Sequence, residues 1–556
     1  MVDSLRSWCG KYKYELFIFV LSVLALVIRV HLASTLGLGN DEAHYYAWSL
    51  RPSAGYLDDA PLVSYLILFF VFLFGKSTLS VRLPSVIFAF FDGFLIYYFS
   101  FLLFKNKRAG FFAFLFFLSA VIFGMVLSVM ALPDAPLLFF SLCFLIFFYK
   151  GVEKGSILSW LLTGLFLGLA FLSKYTAALL PAAGLLYLLV SGKNRHFLKS
   201  AYPYMSLSVA LLVFSPVIFW NAVHNFISFR FQLSHGFSHP KPGLILFLQG
   251  FFGQVLVITP FVYIFLIASF VGAGIIVSRR ISYPFGKEIE KGSVLYSLFM
   301  SVPILLFFIL NGYSHRTLVH WPDIGYLAAF PLMGLIADRV VSAKGAVARL
   351  GRYYLYFAVF SGFFLSFIIY NQVYYNSVPV GRIIKYIDAR KAAHSGGIFE
   401  VIPYIHGKAA TASIANDLFG WNNGAKYIKI VYEGYRFMYP SLFLMTHQYS
   451  IADELDFYGG YRPARNIYNV SIFLNQYDLW QNLNKINGRD ALFIMDDKYM
   501  INPAKAYKNY FKSIKKIGNL DIYIEFRPIR VYYLYLMKGF KAKEAVRDMK
   551  AKKRMY

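Results

Sequence analysis

Apolar segments long enough to cross a membrane recur along this chain from residues 14–34 to about residue 370. The composition agrees with a membrane protein, because 58% of the 556 residues are hydrophobic and 15% are charged. Helices are the usual way in which apolar chains satisfy their backbone hydrogen bonds in lipid. At about 20 residues per span, the sequence predicts an α-helical polytopic membrane protein with about eleven transmembrane helices.

Basic residues occupy the short polar gaps between the apolar segments, as the positive-inside rule predicts for cytoplasmic loops. They contribute to a net charge of +27, but neither a zinc-finger spacing nor an RRM signature is present, so no nucleic-acid partner is predicted. Arg6, Lys11 and Lys13 place the N-terminus in the cytoplasm. The acidic cluster after the first span then lies on the outer side, and we expect a multi-pass protein of the cell (inner) membrane.

The character of the sequence changes after about residue 372, where apolar runs shorten and turn residues such as Gly459-Gly460 return. We therefore expect a transmembrane domain (1–372) with a catalytic outer loop at about 35–82, and a soluble domain (373–556). Segments 427–432, 441–445, 492–495 and 521–526 are typical of strands, and segments 451–457 and 477–486 of helices. This alternation predicts a C-terminal α/β domain, and an odd number of spans places it in the periplasm.

The segment that follows the first span, residues 40–48, combines acidic and aromatic side chains. In a helix that starts here, the side chains of Asp41, His44, Tyr45 and Trp48 share one face, with Glu42 beside them. The alternative is that Asn40 or Asp41 is only an N-cap and that Glu42 favours the helix dipole. Both interpretations are compatible with one another.

A second acidic pair, Asp58 and Asp59, precedes Pro61 and a short apolar segment at 61–75, which we interpret as a helix at the outer interface. Paired carboxylates can bind a divalent cation or a sugar hydroxyl, although Asp-Asp before Pro is also ordinary turn chemistry. A histidine from the longest outer loop, His224 or His235, is a candidate to complete a metal site with Asp58. A divalent metal is therefore a possible cofactor.

Single charges stand at the outer ends of other spans. Asp134 lies between two prolines and Lys174 follows another apolar run, so the two either pair with each other or serve a reacting hydroxyl and a phosphate. Arg82 either binds a lipid phosphate or snorkels to the interface. Arg316 is a candidate for anionic head groups.

Together these segments resemble one family of enzymes. The runs NDEAHYYAWS, GYLDDAPLV, VRLPS, LPDAP, LSKYTAALLP, WNAVHN, FRFQLSHG and HWP are similar, in order and spacing, to GT-C integral-membrane glycosyltransferases. Bacterial members of the protein O-mannosyltransferase and lipid A aminoarabinose transferase superfamily are the most alike. In the soluble part, LFGW, SIADELDFY and YDLW are similar to the C-terminal domain of one bacterial branch.

The resemblance implies transfer of a sugar from a polyprenyl-phosphate donor to an envelope acceptor at the outer face of the membrane, with inversion. Asp41 would be the catalytic acid or base, and Glu42 and Asp134 would orient the acceptor. The implied substrate-binding residues are Arg82, Lys174, Tyr175, Arg316, His320, Tyr45 and Asp59; Asp58 and His224 are the metal candidates. The acceptor classes are lipid A or lipopolysaccharide, another glycan, and a protein hydroxyl.

Two departures limit this transfer of roles. Relatives often carry Asp-His-Pro-Pro-Leu where this chain has Asp58-Asp59-Ala60-Pro61-Leu62, so no histidine role passes to Asp59. The Glu-Lys pair of the aminoarabinose branch is missing, which weakens aminoarabinose as the sugar. A polytopic transporter or lipid flippase is the alternative function, but transporters bind near the midplane, whereas the polar residues here stand at outer ends.

Overall fold

The computed structural model describes residues 12–237, 243–278, 291–315, 317–375, 417–460, 467–471, 473–524 and 527–555. Among these residues, eight helices are long and apolar enough to cross a membrane: Lys13–Thr35, Thr78–Phe104, Asp134–Lys154, Tyr202–Val223, Pro260–Ser278, Lys291–Asn311, Asp323–Ser342 and Ala346–Tyr375. The predicted fold class of a polytopic helical protein is confirmed. The number of eleven spans stays a prediction, because several further apolar helices are shorter.

These shorter helices lie between the long ones. They are Leu62–Phe74, Lys107–Ser119, Ile157–Ser173, Leu179–Val190, Ile227–Phe237 and Leu244–Ile258, with a π-helix at Ile122–Val126 and 3-10 turns at Tyr175–Ala178 and Arg195–Lys199. The helix expected at 61–75 is observed as Leu62–Phe74, and its 13 residues are too few to cross a bilayer at about 1.5 Å per residue. An outer helix, α1 (Asn40–Ser49), precedes it.

Aromatic and aliphatic side chains fill the space between the spans. One large cluster contains Phe99, Phe117, Trp160 and Tyr187, all fully buried or nearly so. Close helix contacts depend on small residues, because a Cβ atom at Gly164 would lie 2.3 Å from the carbonyl oxygen of Ser206. Such small-residue contacts let helices approach where lipid provides no hydrophobic drive.

The C-terminal domain is a five-stranded sheet between helices. Its elements are α2 (Trp421–Met438), β1 (Phe443–Thr446), α3 (Tyr449–Gly459), β2 (Ile467–Asn469), β3 (Ala491–Asp496), β4 (Ser513–Ile524), β5 (Arg527–Lys538) and α4 (Ala542–Met555), with short turns at Tyr477–Trp480, Leu483–Ile486 and Pro503–Ala506. The strand order is β2-β1-β3-β5-β4. Strands β2, β1 and β3 are parallel, and β5 is antiparallel to β3 and β4.

The sequence predictions for this domain are largely confirmed, with one clear error. Segments 441–445 and 492–495 fall in β1 and β3, segment 521–526 overlaps the end of β4, and segment 451–457 lies in α3. Segment 427–432, predicted as a strand, lies inside α2. Its aromatic and β-branched residues favour a strand locally, but Ile428 and Tyr432 are buried one helical turn apart, so burial of one helix face outweighs that preference.

The parallel strands direct their carboxyl ends toward the segment that contains α1 and the loop after it. Tyr449, just after β1, donates to Asp41 at 3.3 Å, and Asn40 donates to Tyr499, just after β3, at 3.4 Å. The backbone N–H of Leu57 donates to Gln476, which follows β2, at 2.7 Å. The edge of an α/β sheet that commonly binds ligands therefore lies against the residues that the sequence singled out.

Candidate active site

Helix α1 begins after Gly39, which is its N-cap. The Oε2 atom of Glu42 accepts the backbone N–H of Gly39 at 2.8 Å, the reciprocal bond of a capping box. The prediction that Asn40 or Asp41 is the cap is therefore wrong by one or two positions. The consequence is that Asp41 is free of a capping role and stands in the first turn of the helix, exposed to solvent.

Glu42 and Arg82 form a buried, bidentate ion pair. The Nε and Nη2 atoms of Arg82 donate to Glu42 at 2.7 and 2.6 Å, and further bonds go to the carbonyls of Ala33, Leu36 and Gly37 at 3.4, 2.8 and 2.6 Å. Glu42 also accepts the backbone N–H of Ala131 at 2.8 Å. Because these bonds occupy the guanidinium, Arg82 stabilises the fold and is not available to bind a phosphate. Glu42 likewise binds Arg82 and does not orient an acceptor. The structure thus corrects the predicted roles of both residues.

Asp41 keeps a carboxylate at the surface of this rigid scaffold. Crowding by neighbouring protein atoms raises the pKa of Asp41 although the side chain is exposed. The positive charge of His44 and the Tyr449 hydroxyl only partly offset this effect. A carboxylate with a raised pKa is suited to accept a proton near neutral pH.

His44 joins the two domains. Its Nδ1 atom lies 2.6 Å from Asp453 of α3, and its Nε2 atom lies 3.3 Å from Asp58. Burial alone would lower the pKa of His44, but the two carboxylates outweigh burial and raise the pKa to about 10. His44 and Trp48 are buried whereas Asp41 is exposed, so the predicted common cavity of Asp41, His44, Tyr45 and Trp48 is not observed.

A second charged cluster surrounds Lys174. Its Nζ atom lies 2.7 Å from Asp134, and both side chains are largely buried. Asp323 and Asp59 also act on Lys174: burial would lower the pKa of this lysine, but the three carboxylates outweigh burial and raise it. The predicted pairing of Asp134 with Lys174 is therefore observed, while Asp323 was missed. Asp323 begins a span and no motif marks it.

Tyr45 lies between the two clusters. Its hydroxyl is within electrostatic range of Asp59, Asp41 and Asp134, and burial together with these carboxylates raises its pKa well above the usual value. A neutral hydroxyl can donate to one acceptor while it accepts from another. Tyr45 therefore lies within the influence of Asp41 and of the acids around Lys174, and its substrate-binding role stays a prediction.

Two further predicted residues, Tyr175 and His320, lie close to the Lys174 cluster. Tyr175 contacts Ser228 through its hydroxyl at 3.2 Å. Burial and the Lys174 cation outweigh Asp134 and lower the pKa of His320 to about 4, so its imidazole is neutral beside that cluster. Arg316 lies outside the described residues.

The metal candidates have other partners. Asp58 contacts His44, whereas the Nδ1 atom of His224 donates to the carbonyl of Trp220 at 2.8 Å and its ring stacks on that indole. Among the described residues, no group of three or more His, Cys, Asp and Glu side chains is placed to hold a metal ion. The side chain of His235 lies outside those described. Asp58 and His224 therefore do not form the predicted metal site within the part of the chain that the structure describes, and the alternative with His235 stays a prediction.

The pH dependence of stability should reveal Asp59. Burial raises the pKa of Asp59 to about 7, with Lys174 and the Ala60 amide opposing it. The contribution of this raised pKa to folding stability is fully present below the ordinary value of 3.8 and is lost as the pH rises through 7. We expect the apparent Tm in detergent to fall less between pH 5 and pH 8 in Asp59→Asn than in wild type; the exposed-acid control Asp548→Asn should behave like wild type. Equal losses in all three proteins would contradict this.

A small recess, with a cavity volume of about 10 Å³, lies beside the segment that follows His320. It is lined by residues such as Phe247, Phe251, Phe308 and Pro322, and Pro322 lies two positions from His320. The recess separates helices Leu244–Ile258 and Val302–Asn311.

Comparisons with known proteins agree with this architecture. Residues 58–220 match the family model described as dolichyl-phosphate-mannose-protein mannosyltransferase. Two structures of ArnT from Cupriavidus metallidurans are similar over 94% of this chain and 98% of theirs, at 14% identity: the apo state with a TM-score of 0.58 and the complex with undecaprenyl phosphate with 0.55. No curated protein sequence matches the chain. The family match over residues 58–220 agrees with the predicted resemblance, and the structural matches show that the fold is similar to that of ArnT.

Proposed function

We propose that this chain transfers a sugar from a polyprenyl-phosphate donor to an envelope acceptor at the outer face of the cell (inner) membrane, with the C-terminal domain in the periplasm. The observation that carries the proposal is that an exposed carboxylate, Asp41, and the acid of the buried Lys174–Asp134 ion pair both lie within electrostatic range of Tyr45, in an ArnT-like fold. A base for the acceptor and a charge for the leaving phosphate are what such a reaction needs.

The proposed reaction is a single displacement. The carboxylate of Asp41 takes the proton of the acceptor hydroxyl, and the hydroxyl oxygen forms a bond to the anomeric carbon of the sugar. The bond between that carbon and the phosphate oxygen breaks, and the polyprenyl phosphate leaves with both bonding electrons. Attack opposite the leaving group inverts the anomeric centre. Lys174 stabilises the phosphate charge, and its ion pair with Asp134 keeps the ammonium in place.

The acceptor is an envelope molecule with a free hydroxyl, such as lipid A, another glycan or a protein. The test is mass spectrometry of envelope glycolipids, glycans and proteins from cells with the gene, without it, and carrying Asp41→Asn. We expect one sugar addition that is present only with the wild-type gene. Identical envelope profiles in all three strains would contradict the proposal.

Loss of the phosphate cation should weaken turnover strongly. We expect Lys174→Met to lower kcat/KM for the lipid-linked donor by about 10²-fold, the usual effect of removing one group that stabilises a developing oxyanion. The exposed Lys193, which pairs with Glu153, provides the control Lys193→Met, expected to act like wild type.

The Lys174→Met variant also leaves Asp134 without its partner. The double variant Lys174→Met/Asp134→Asn removes both charges, so it should recover thermal stability without recovering turnover. Recovery of turnover in the double variant would show that Lys174 is needed only for folding.

A further inference from the structure

The C-terminal domain brings an acidic side chain into the outer loop of the membrane domain. Helix α3 carries the buried acids Asp453, Glu454 and Asp456, and Asp453 reaches His44 of α1. The side chain of Asp453 is fully buried and that of His44 is 5% exposed. This contact joins residues 409 positions apart and lies within the junction between the two domains.

The contact is part of a continuous chain of hydrogen bonds. The hydroxyl of Tyr477 donates to Oδ1 of Asp453 at 2.5 Å, and the Oδ2 atom accepts the Nδ1–H of His44 at 2.6 Å. On the other side of the ring, Nε2 lies 3.3 Å from Asp58 and 3.0 Å from the indole nitrogen of Trp48. Nε2 therefore donates to Asp58 when the ring is protonated and accepts from Trp48 when it is neutral. Asp453 fixes the orientation of the ring in both states.

His44 in turn acts on Asp41. The two residues are three positions apart in α1, which places them on neighbouring positions of the helix surface. The positive charge of His44 is the main influence that keeps Asp41 ionised against the crowding around it. An acid that holds this imidazolium in place therefore affects the carboxylate on which the proposed reaction depends.

The interface that holds Asp453 is tightly packed. A Cβ atom at Gly37 would lie 2.3 Å from the carbonyl oxygen of Leu418, and the ring of Tyr46 meets that of Phe457 edge-on at 4.8 Å. The backbone N–H of Leu38 donates to the hydroxyl of Tyr458 at 2.8 Å. The position of Asp453 is thus fixed by contacts on both sides of α1.

We propose that Asp453 is a positioning residue of the candidate active site: by holding His44, it maintains the charge beside Asp41, so that the C-terminal domain completes the site. The inference rests on the proposed function. It assigns the soluble domain a part in catalysis without requiring that this domain contact the substrate.

The test compares the full-length protein and its Asp453→Asn variant in proteoliposomes, with a panel of radiolabelled undecaprenyl-phosphate hexoses and aminopentoses as donors. The matched control is Asp456→Asn, which replaces a second buried acid one turn along α3; because burial raises the pKa of Asp456 to about 8, this variant removes a charge mainly at the high end of the pH range. We expect Asp453→Asn to lower kcat about tenfold at pH 7 and only about twofold at pH 9, with the acidic limb of the rate profile moved up by about one unit. Asp456→Asn should keep the wild-type profile.

A double-mutant cycle separates positioning from folding. If Asp453 acts through His44, Asp453→Asn should change the rate less than about twofold in a His44→Gln background. If Asp453→Asn does not fold, Tyr477→Phe removes only the hydroxyl bonded to Asp453 and should produce the same displacement of the acidic limb to a smaller extent.

The possible results distinguish this inference from the proposed function. Equal losses at pH 7 and pH 9, or independent effects of the two substitutions, would overturn the positioning role while wild-type turnover supports the proposed function. A correctly folded wild-type protein that turns over none of the donors would overturn the proposed function and the inference with it.

Discussion

The Asp41→Asn variant is expected to lose sugar transfer by about 10²- to 10⁴-fold, the usual contribution of a general base. The amide cannot accept the proton of the acceptor hydroxyl, so the nucleophile stays protonated. The fold should persist, because Asp41 is exposed and the hydroxyl of Tyr449 donates to it only over a long distance of 3.3 Å. Initial rates in proteoliposomes and the apparent Tm in detergent are the two measurements.

The neighbouring substitution Asn40→Ala is the control for this variant. It removes a 3.4 Å contact with Tyr499 from the same helical turn without removing a carboxylate. We expect its rate to stay within about threefold of wild type, since surface contacts of this kind contribute little. Transfer by Asp41→Asn at a rate close to that of Asn40→Ala would remove Asp41 from the mechanism.

The Arg82→Met variant is expected to lower the free energy of unfolding by about 3–5 kcal/mol, because it leaves the fully buried carboxylate of Glu42 without its partner. Arg82 and Glu42 are 1% and 0% exposed, so solvent cannot replace the lost interactions. The carbonyls of Leu36 and Gly37 also lose their donor, which loosens the link between the first span and α1. Denaturant unfolding in detergent, followed by intrinsic fluorescence, measures this loss.

Two further variants show whether the effect of Arg82→Met comes from the lost ion pair. The double variant Arg82→Met/Glu42→Gln removes both charges and should recover part of the lost stability, and Lys105→Met, at an exposed helix end, should have no effect. A stable Arg82→Met protein with a raised KM for the lipid-linked donor would contradict the structural role. It would instead support the phosphate-binding role that the sequence predicts.

The sequence predicts the membrane architecture well because hydrophobicity is a local property. Each apolar run can be identified without knowledge of its neighbours, and the motif order leads to a GT-C resemblance with which the ArnT-like fold agrees. The short strands β1 and β3 are predicted for the same reason, since a few consecutive apolar residues bounded by turns mark them.

Contacts between side chains that are distant in sequence cannot be predicted in this way. Arg82 and Glu42 are 40 positions apart, and Arg82 is indistinguishable in sequence from an arginine that snorkels or binds a phosphate. Asp453 is one of three acids in α3, and only the docking of that helix on α1 shows which one meets His44. Asp323 is the first residue of a span, after the N-cap Pro322, and its place beside Lys174 depends on packing of the spans.

Cleavage of the donor is the most direct test of the central claim. The purified protein is placed in proteoliposomes with a radiolabelled undecaprenyl-phosphate sugar and an envelope extract as acceptor, and the chemical fate of the label is followed. Our account predicts that wild-type protein releases undecaprenyl phosphate and attaches the sugar to the extract, while Asp41→Asn does neither. Movement of the intact donor between leaflets without cleavage of the sugar–phosphate bond would contradict it and would favour a flippase.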